Sequence, residues 1–158
     1  MIKRNLLVMG LAVLLSACGF QLRGTGSTEL SVKELDVSAR DAYGKTVKQL
    51  VQVLQGNGVK VYTGAPYKLV ILNEQETQRS ASSTGSGRST EYALTNTLEY
   101  RINGIKDREL NYNKVTVDKI YVHDGNNLIG SDLEAGQVRT EMRNDMVQKL
   151  VAQLQQLT

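Results

Sequence analysis

Residues 92–102 have the sequence YALTNTLEYRI, in which apolar and polar side chains alternate. One face of an extended strand here would carry Tyr92, Leu94, Asn96, Leu98, Tyr100 and Ile102, all apolar except Asn96. Successive side chains of a strand point to opposite faces of the sheet, so a buried face and a solvated face produce a period of two. The stretch therefore predicts a half-buried strand of an antiparallel pair.

Extended segments are predicted on both sides of this strand. Residues 67–72 form a dense apolar run that we expect to be buried on both faces, and the polar residues 73–79 continue it away from the core. The Ser-, Gly- and Thr-rich residues 80–90 predict a flexible loop, which is either a mobile hairpin tip or a segment ordered by a partner. A return strand is predicted over about 112–123, with a bulge near Asp118-Lys119 because its apolar residues change face there.

Two helices are predicted from apolar residues that recur at helical spacing. The first carries Val47, Leu50, Val51 and Leu54, at i, i+3, i+4 and i+7. Ser38 or Asp41 could cap its start, and Gly56-Asn57-Gly58 supplies residues that tolerate the left-handed conformation at its end. The second would begin at Ser131, with Glu134 completing a capping box. Its apolar stripe is Val138, Met142, Met146, Val147, Leu150, Val151, Leu154 and Leu157.

The remaining extended segments complete an α+β fold. Residues 30–37 predict a first strand, and Val59 and Val61 a short second strand after the first helix. Strand, helix and strand in so few residues predict a right-handed crossover between parallel strands. The order is then β-α-β-β-β-β-α, a mixed sheet of four or five strands with two helices on one face. Residues 30–158 show no internal repeat and predict a single domain.

The N-terminus has the features of an export signal. Lys3 and Arg4 precede an apolar run over residues 6–15, which is shorter than the roughly 20 residues of a spanning helix. Leu15-Ser16-Ala17-Cys18 resembles a bacterial lipobox, in which the thiol is alkylated with diacylglycerol and cleavage before the cysteine exposes an amine for a further acyl chain. Cys18 is the only cysteine, so no disulfide can form within the chain, and lipidation removes the hazard of a lone thiol.

The predicted product is a lipid-anchored domain facing the periplasm. Residues 1–17 are the signal peptide, and the polar, Gly-rich residues 18–29 are a tether between lipid and domain. Residue 19 is Gly, whereas lipoproteins that are retained have Asp at this position. Gly19 is therefore typical of bacterial lipoproteins that are exported to the outer membrane. More than one acyl chain would anchor the protein durably.

Charge and composition exclude several classes of function. The formal charge is +3 for the whole chain, and loss of Lys3 and Arg4 with the signal lowers it to +1, which gives no electrostatic case for nucleic-acid binding. His123 is the only histidine, and no serine lies on a nucleophile elbow. Asp118, His123, Asp124 and Asp132 match no compact metal-ligand spacing. We predict no enzyme, no metal and no cofactor.

Three arginines remain as candidates for binding phosphate groups. Arg88 lies in the predicted loop beside the central strand, and Arg139 and Arg143 lie i, i+4 on the last helix. Guanidinium groups suit phosphates because their donors form a planar fork. The alternative is that these are solvated surface arginines, with Arg143 balanced by Asp145 or Glu141.

Several short motifs together resemble the LptE family of lipopolysaccharide-assembly lipoproteins. They are Cys18-Gly19-Phe20-Gln21-Leu22-Arg23-Gly24, Leu54-Gln55-Gly56-Asn57-Gly58-Val59, Glu91-Tyr92 and Glu141-Met142. The resemblance implies a plug inside an outer-membrane β-barrel of the LptD type, in a one-to-one complex that assembles the barrel and delivers lipopolysaccharide to the outer leaflet. It also implies lipopolysaccharide binding by basic residues, for which Arg88, Arg139 and Arg143 are the candidates.

A different class of function stays open at this point. The chain could be a generic periplasm-facing lipoprotein that binds a small ligand or organises envelope proteins without a barrel. A cavity between sheet and helices would favour that interpretation, whereas a filled core with a wide, Tyr-bearing surface would favour the plug. An enzyme would need a pocket around His123.

Overall fold

The computed structural model describes residues 32–83, 89–104 and 108–156. Its elements are β1 (Glu34–Ala39), α1 (Lys45–Gly56), β2 (Lys60–Val61), β3 (Tyr67–Ser83), β4 (Ser89–Asn103), β5 (Glu109–Asp124) and α2 (Leu128–Gln155). This is the predicted order. The predicted signal peptide, the lipidated Cys18, the tether and Arg88 lie outside the described residues. Across the described ranges, neither helix is long and apolar enough to span a membrane.

The five strands form one mixed sheet in the order β2-β1-β3-β4-β5. β1 pairs in parallel with both β2 and β3, while β4 pairs antiparallel with both β3 and β5. The predicted parallel pair on either side of α1 is therefore confirmed. β4 lies between β3 and β5, and the antiparallel pairing predicted from its alternating sequence is confirmed.

The β3–β4 hairpin is longer than predicted. Residues 80–83 and 89–90, expected in a loop, belong to the strands, and Ser82 pairs with Glu91. Ladder hydrogen bonds come from the backbone and do not require apolar side chains, and Ser82 Oγ also donates to Glu91 Oε2 at 2.7 Å. A register shift between Ile71 and Asn73 marks the point where β3 leaves the core.

The core lies between one face of the sheet and both helices. On β4 its members are the predicted Leu94, Leu98, Tyr100 and Ile102, and on α2 they include Met142, Met146, Val147, Leu150, Val151 and Leu154. Tyr92 and Val138 pack against it partly buried. Leu157 lies outside the described residues. In the run 67–72 only Leu69 and Ile71 are buried, so the expected burial on both faces is wrong because no described element covers the other face.

The bulge predicted near Asp118-Lys119 is absent. Pairing between β4 and β5 runs without a shift from Ser89↔Asp124 to Ile102↔Asn111. The prediction assumed that every apolar residue of β5 must be buried. In the structure Ile120 and Val122 instead point to the uncovered face and are 62% and 41% exposed.

The helix starts also differ from the prediction, whereas the end of α1 does not. Gly44 occupies the N-cap of α1 without a side-chain hydrogen bond, so neither Ser38 nor Asp41 caps it. α2 begins before Ser131, since Asn127 Oδ1 accepts from Gly130 N at 3.0 Å. Ser131 Oγ accepts instead from Asp124 N at 2.8 Å. Gly58, just after α1, has φ +82°, the left-handed conformation expected there.

Candidate functional site

A cleft of about 430 Å³ opens between β3, the start of α1 and the first half of α2. It lies beside the register shift of β3, and the strand and the two helices enclose a space whose lining is both apolar and polar. Its charged and amide side chains are Arg40, Asp41, Asn73, Glu74, Glu76, Asn96, Arg139 and Arg143. Two of the three predicted arginines therefore meet at one site.

Arg139 joins α2 to β3 across this cleft. Its Nε donates to Glu76 Oε1 at 2.8 Å, and both side chains are about a third exposed. A partly exposed ion pair contributes little to stability, about 0–1 kcal/mol. The consequence for the site is that the charge of Arg139 is already paired.

Glu74 lies in the same cleft and is held by two hydrogen bonds. Its Oε1 accepts from Thr46 Oγ1 at 2.9 Å and from Asn96 Nδ2 at 3.1 Å. α1 has no acidic residue in its first turn and no side-chain cap. Negative charge is favourable at a helix N-terminus, and Glu74, reaching over from β3, places a carboxylate beside Thr46 in the first turn of α1.

Arg143 has different neighbours from those predicted. Lys119 Nζ lies 3.0 Å from Asp145 Oδ2 and 4.0 Å from Glu141 Oε2, so both expected partners of Arg143 face another cation. Among the residues that the structure describes, Arg143 makes no ion pair or hydrogen bond. The alternative in which Asp145 or Glu141 balances Arg143 is therefore wrong on this point, because the packing of α2 on β5 turns these carboxylates towards Lys119.

Arg40 is a site residue that the sequence analysis missed. It follows β1 directly and lines the cleft, and it too has no ion pair or hydrogen bond within the described ranges. Residues just beyond the carboxyl ends of parallel strands commonly line binding sites in open sheets. The position of Arg40 directly after a predicted parallel strand is the sequence feature that could have identified it as a site residue.

The residues considered for metal binding do not converge. Asp118 lies on the uncovered face of the sheet, where its Oδ1 accepts from Thr95 Oγ1. His123 lies on the opposite face, with its ring edge-on to Tyr92 at 6.0 Å between centroids. Within the three described segments, no group of three potential ligands is close enough for a metal ion. His123 does not line the cleft.

The second functional surface is the uncovered side of β3, β4 and β5, which we call the bare sheet face. Both helices contact the other side, through Arg139–Glu76, Lys119–Asp145 and Thr46–Glu74. The bare sheet face carries Thr77, Thr95, Thr97, Thr116, Ile120 and Val122, together with Tyr112, which is 57% exposed. Thr97 and Thr116 place their Oγ1 atoms 3.3 Å apart. Charged side chains such as Glu99, Lys114 and Asp118 lie on the same face, so the surface is polar and partly charged, with a few apolar contact points.

A family profile and individual relatives both match this chain to lipopolysaccharide-assembly proteins. Residues 32–154 match the profile of the family described as LptE, lipopolysaccharide-assembly. The LPS-assembly lipoprotein LptE of Pectobacterium atrosepticum is 31% identical over 94% of this chain and 83% of its own length. The protein of the same name from Yersinia pestis is 30% identical over 94% of this chain and 73% of its own.

Solved structures share the fold at lower identity. The rare lipoprotein B of Shewanella oneidensis superposes with a TM-score of 0.67 at 20% identity, covering 76% of this chain and 91% of that one. A lipoprotein B of Nitrosomonas europaea gives a TM-score of 0.72 at 22% identity, covering 87% and 90%. At these identities the likeness establishes the fold alone, and it confirms the predicted arrangement of mixed sheet and two helices.

Proposed function

Because the chain belongs to the LptE family of lipopolysaccharide-assembly proteins, we propose that it is the plug subunit of the lipopolysaccharide translocon. In this role one copy occupies the lumen of one LptD-type outer-membrane β-barrel. It supports assembly of that barrel and insertion of lipopolysaccharide into the outer leaflet. The family match over residues 32–154 is the observation that carries the proposal. The protein then works by binding and not by catalysis.

The bare sheet face is the surface that we assign to the barrel wall. The lumen of a large barrel is polar, and a face that carries threonine hydroxyls and charged side chains can exchange hydrogen bonds with it. Ile120, Val122 and Tyr112 add apolar area of the kind that forms the drier centre of an interface. Tyr112 is also an exposed tyrosine, which agrees with the Tyr-bearing surface expected of a plug.

The anchor and the arginines complete the proposal. Lipidation of Cys18 would hold the protein at the outer membrane, with the domain facing the periplasm or the barrel lumen. Arg88, Arg139 and Arg143 stay the proposed contacts for the phosphate groups of lipopolysaccharide. Of these, Arg139 and Arg143 line the cleft.

The assignment of the bare sheet face is tested by replacing one exposed isoleucine. In Ile120→Asp a charge replaces one of the apolar contact points of the proposed interface, where burial without a partner is costly. We expect the full-length variant to lose most of the barrel that co-purifies with the unmodified protein.

Ile129→Asp is the matched control. Ile129 is 79% exposed in the first turn of α2, away from the bare sheet face, and an acidic residue is favourable there. This variant should retain the barrel, and circular dichroism should show that both variants are folded. Retention of the barrel by Ile120→Asp would refute the assignment of this face.

The cleft favours a second function. It is an open space between sheet and helices, the feature associated with a periplasm-facing lipoprotein that binds a small ligand or organises envelope proteins. Its lining combines charged side chains with Val47, Ile71 and Leu72, which suits a ligand that has both polar and apolar parts. Because His123 lies elsewhere, the cleft lends no support to an enzyme.

A further inference from the structure

We propose that β5 pairs, edge to edge and antiparallel, with β5 of a second copy of this chain when the protein is not bound to a barrel. The two copies would share one continuous sheet, with a two-fold axis at Thr116. The proposal rests on the proposed function only in treating the barrel and the second copy as alternative partners of Tyr112 and Ile120. The backbone and the sequence of β5 carry the rest.

The outer edge of β5 is open. β5 is the last strand in the order β2-β1-β3-β4-β5, and no other described strand pairs with its outer side. It is 16 residues long, whereas β2, at the opposite edge, has 2 residues. A long edge strand presents a row of N–H and C=O groups that can pair with a strand of another chain. β5 is therefore the edge at which a strand can be added.

Two side-chain contacts show which backbone groups of β5 face outward. Lys114 N donates to Asn113 Oδ1 at 2.8 Å, and Thr116 O accepts from Lys149 Nζ at 2.9 Å. These backbone groups therefore point to side chains and not to β4. Residues of an antiparallel strand alternate between its two edges in the direction of their backbone groups, so the even-numbered residues of β5 point outward.

The end of β5 follows the same alternation, since Asp124 N donates to Ser131 Oγ at 2.8 Å. Between these capped positions lie Asp118, Ile120 and Val122, whose side chains are all exposed. Their outward backbone groups have no hydrogen-bond partner among the residues that the structure describes. An added strand would supply those partners.

A second β5 also supplies complementary side chains. An antiparallel register centred on Thr116 places Lys114 opposite Asp118 of the other copy, Tyr112 opposite Ile120, and Thr116 opposite itself. Opposite charges, an aromatic ring beside a β-branched side chain, and paired threonines all stabilise neighbouring strands. The Lys114 ammonium group makes no ion pair within the described ranges, so it is available for this contact.

The neighbouring registers are less favourable. A centre at Asp118 places this carboxylate opposite its own copy, and a centre at Lys119 does the same for an ammonium group. Like charges directly opposite each other are destabilising. A centre at Val117 places the charge of Lys114 opposite Ile120. The sequence of β5 therefore favours the register centred on Thr116.

Lys149 opposes this pairing. Its Nζ binds the Thr116 carbonyl group, and in the dimer the two copies of Lys149 would meet at the axis. Lysines commonly protect sheet edges against association, and here the lysine comes from α2. Lys149→Ala frees the carbonyl group and removes the repulsion, so it should strengthen dimer formation several-fold.

The first test traps the dimer of the full-length protein as a disulfide. Cys18 is the only cysteine, and lipidation would block its thiol, so Thr116→Cys adds one reactive thiol at the axis. Directly opposed residues that exchange hydrogen bonds have Cα atoms about 5.5 Å apart, which a disulfide can bridge. We expect mild oxidation in detergent to produce a disulfide-linked dimer.

Thr97→Cys is the matched control. Thr97 pairs with Thr116 on the same face of the sheet, and both side chains are half-buried. In the proposed dimer the two copies of Thr97 would be separated by three strand spacings, about 14 Å, which no disulfide spans. This variant therefore reports association through the lipid anchor or the detergent micelle. Equal cross-linking of both variants, or none in Thr116→Cys, would overturn the proposal.

Charge reversal tests the register. Lys114→Asp and Asp118→Lys should each weaken the dimer roughly tenfold in sedimentation equilibrium, because each turns two attractive pairs into repulsive ones. The double variant Lys114→Asp/Asp118→Lys should restore association. It does not restore the hydrogen bond from Thr95 Oγ1 to Asp118, so recovery reports the charges between the copies. A double variant that is folded by circular dichroism and stays as weak as the single variants would overturn the register.

Dimer formation is measured on lipoprotein that has been separated from the barrel, which keeps the two proposals distinct. Loss of barrel co-purification would refute the plug and leave the cross-linking result unchanged. A Thr116→Cys dimer that still carries the barrel would overturn the competition between the barrel and the second copy.

Discussion

Tyr100 shows most clearly how a single buried residue sets a property of the whole domain. It is fully buried on β4, and its hydroxyl donates to Gln153 Oε1 on α2. Burial raises the pKa of Tyr100 above its ordinary value of 10.0. A tyrosine whose pKa is raised in the folded state stabilises the fold fully at pH values below its unfolded-state pKa. This stabilisation is lost as the pH rises through the folded-state pKa. The free energy of unfolding should therefore fall above about pH 10.

Tyr100→Phe should remove much of that alkaline fall. It should also cost about 1 kcal/mol at neutral pH through the lost hydrogen bond to Gln153. Urea unfolding between neutral pH and about pH 11 measures both effects. Tyr62→Phe is the control: its hydrogen bond to Glu34 also raises the pKa of Tyr62, but this tyrosine is exposed, so the fall should persist in that variant. An undiminished fall in Tyr100→Phe would contradict the assignment to Tyr100.

The contacts between individual side chains were harder to predict from the sequence than the elements or the fold. The sequence shows that Arg139 and Arg143 share a helix face, because that depends only on helical periodicity. It does not show that Glu76 meets Arg139 or that Lys119 meets Asp145. Those contacts depend on how α2 is aligned along β3 and β5.

At the scale of elements, the start of α2 gives a direct test. Asn127→Ala removes the side-chain acceptor of Gly130 N, and loss of an N-cap typically costs about 1 kcal/mol. Thermal or urea unfolding of this variant should show that loss. Gln137→Ala, an exposed change within the same helix, should alter stability by less than about 0.5 kcal/mol. If Asn127→Ala is as stable as the unmodified protein, the cap does not contribute as described.

Element types followed from the sequence, whereas several of their ends did not. Alternation over residues 92–102 and helical spacing over 138–154 reflect burial on one face, which any sequence with this fold must show. Asn127 and Ser131 are both good capping residues, so the choice between them depends on where β5 ends. The length of the β3–β4 hairpin depends on backbone pairing, which leaves little trace in a Ser-rich segment.

At the scale of the whole molecule, one sheet has one face covered by helices and one face bare. Alternation along β4 predicts this division, because a strand with one polar face cannot be covered on both sides. The exposure of Ile120 and Val122 was not predicted, since apolar residues were assumed to be buried. Apolar residues retained on an otherwise polar surface are typical of a contact with another molecule.

The composition of the complex purified through the full-length lipoprotein tests the proposed plug most directly. Membranes are extracted in mild detergent at modest salt, the C-terminally tagged protein is purified, and the amount of each component is quantified. The proposal predicts a large outer-membrane β-barrel in one-to-one amount with the lipoprotein. Recovery of the lipoprotein alone after this gentle extraction would contradict it.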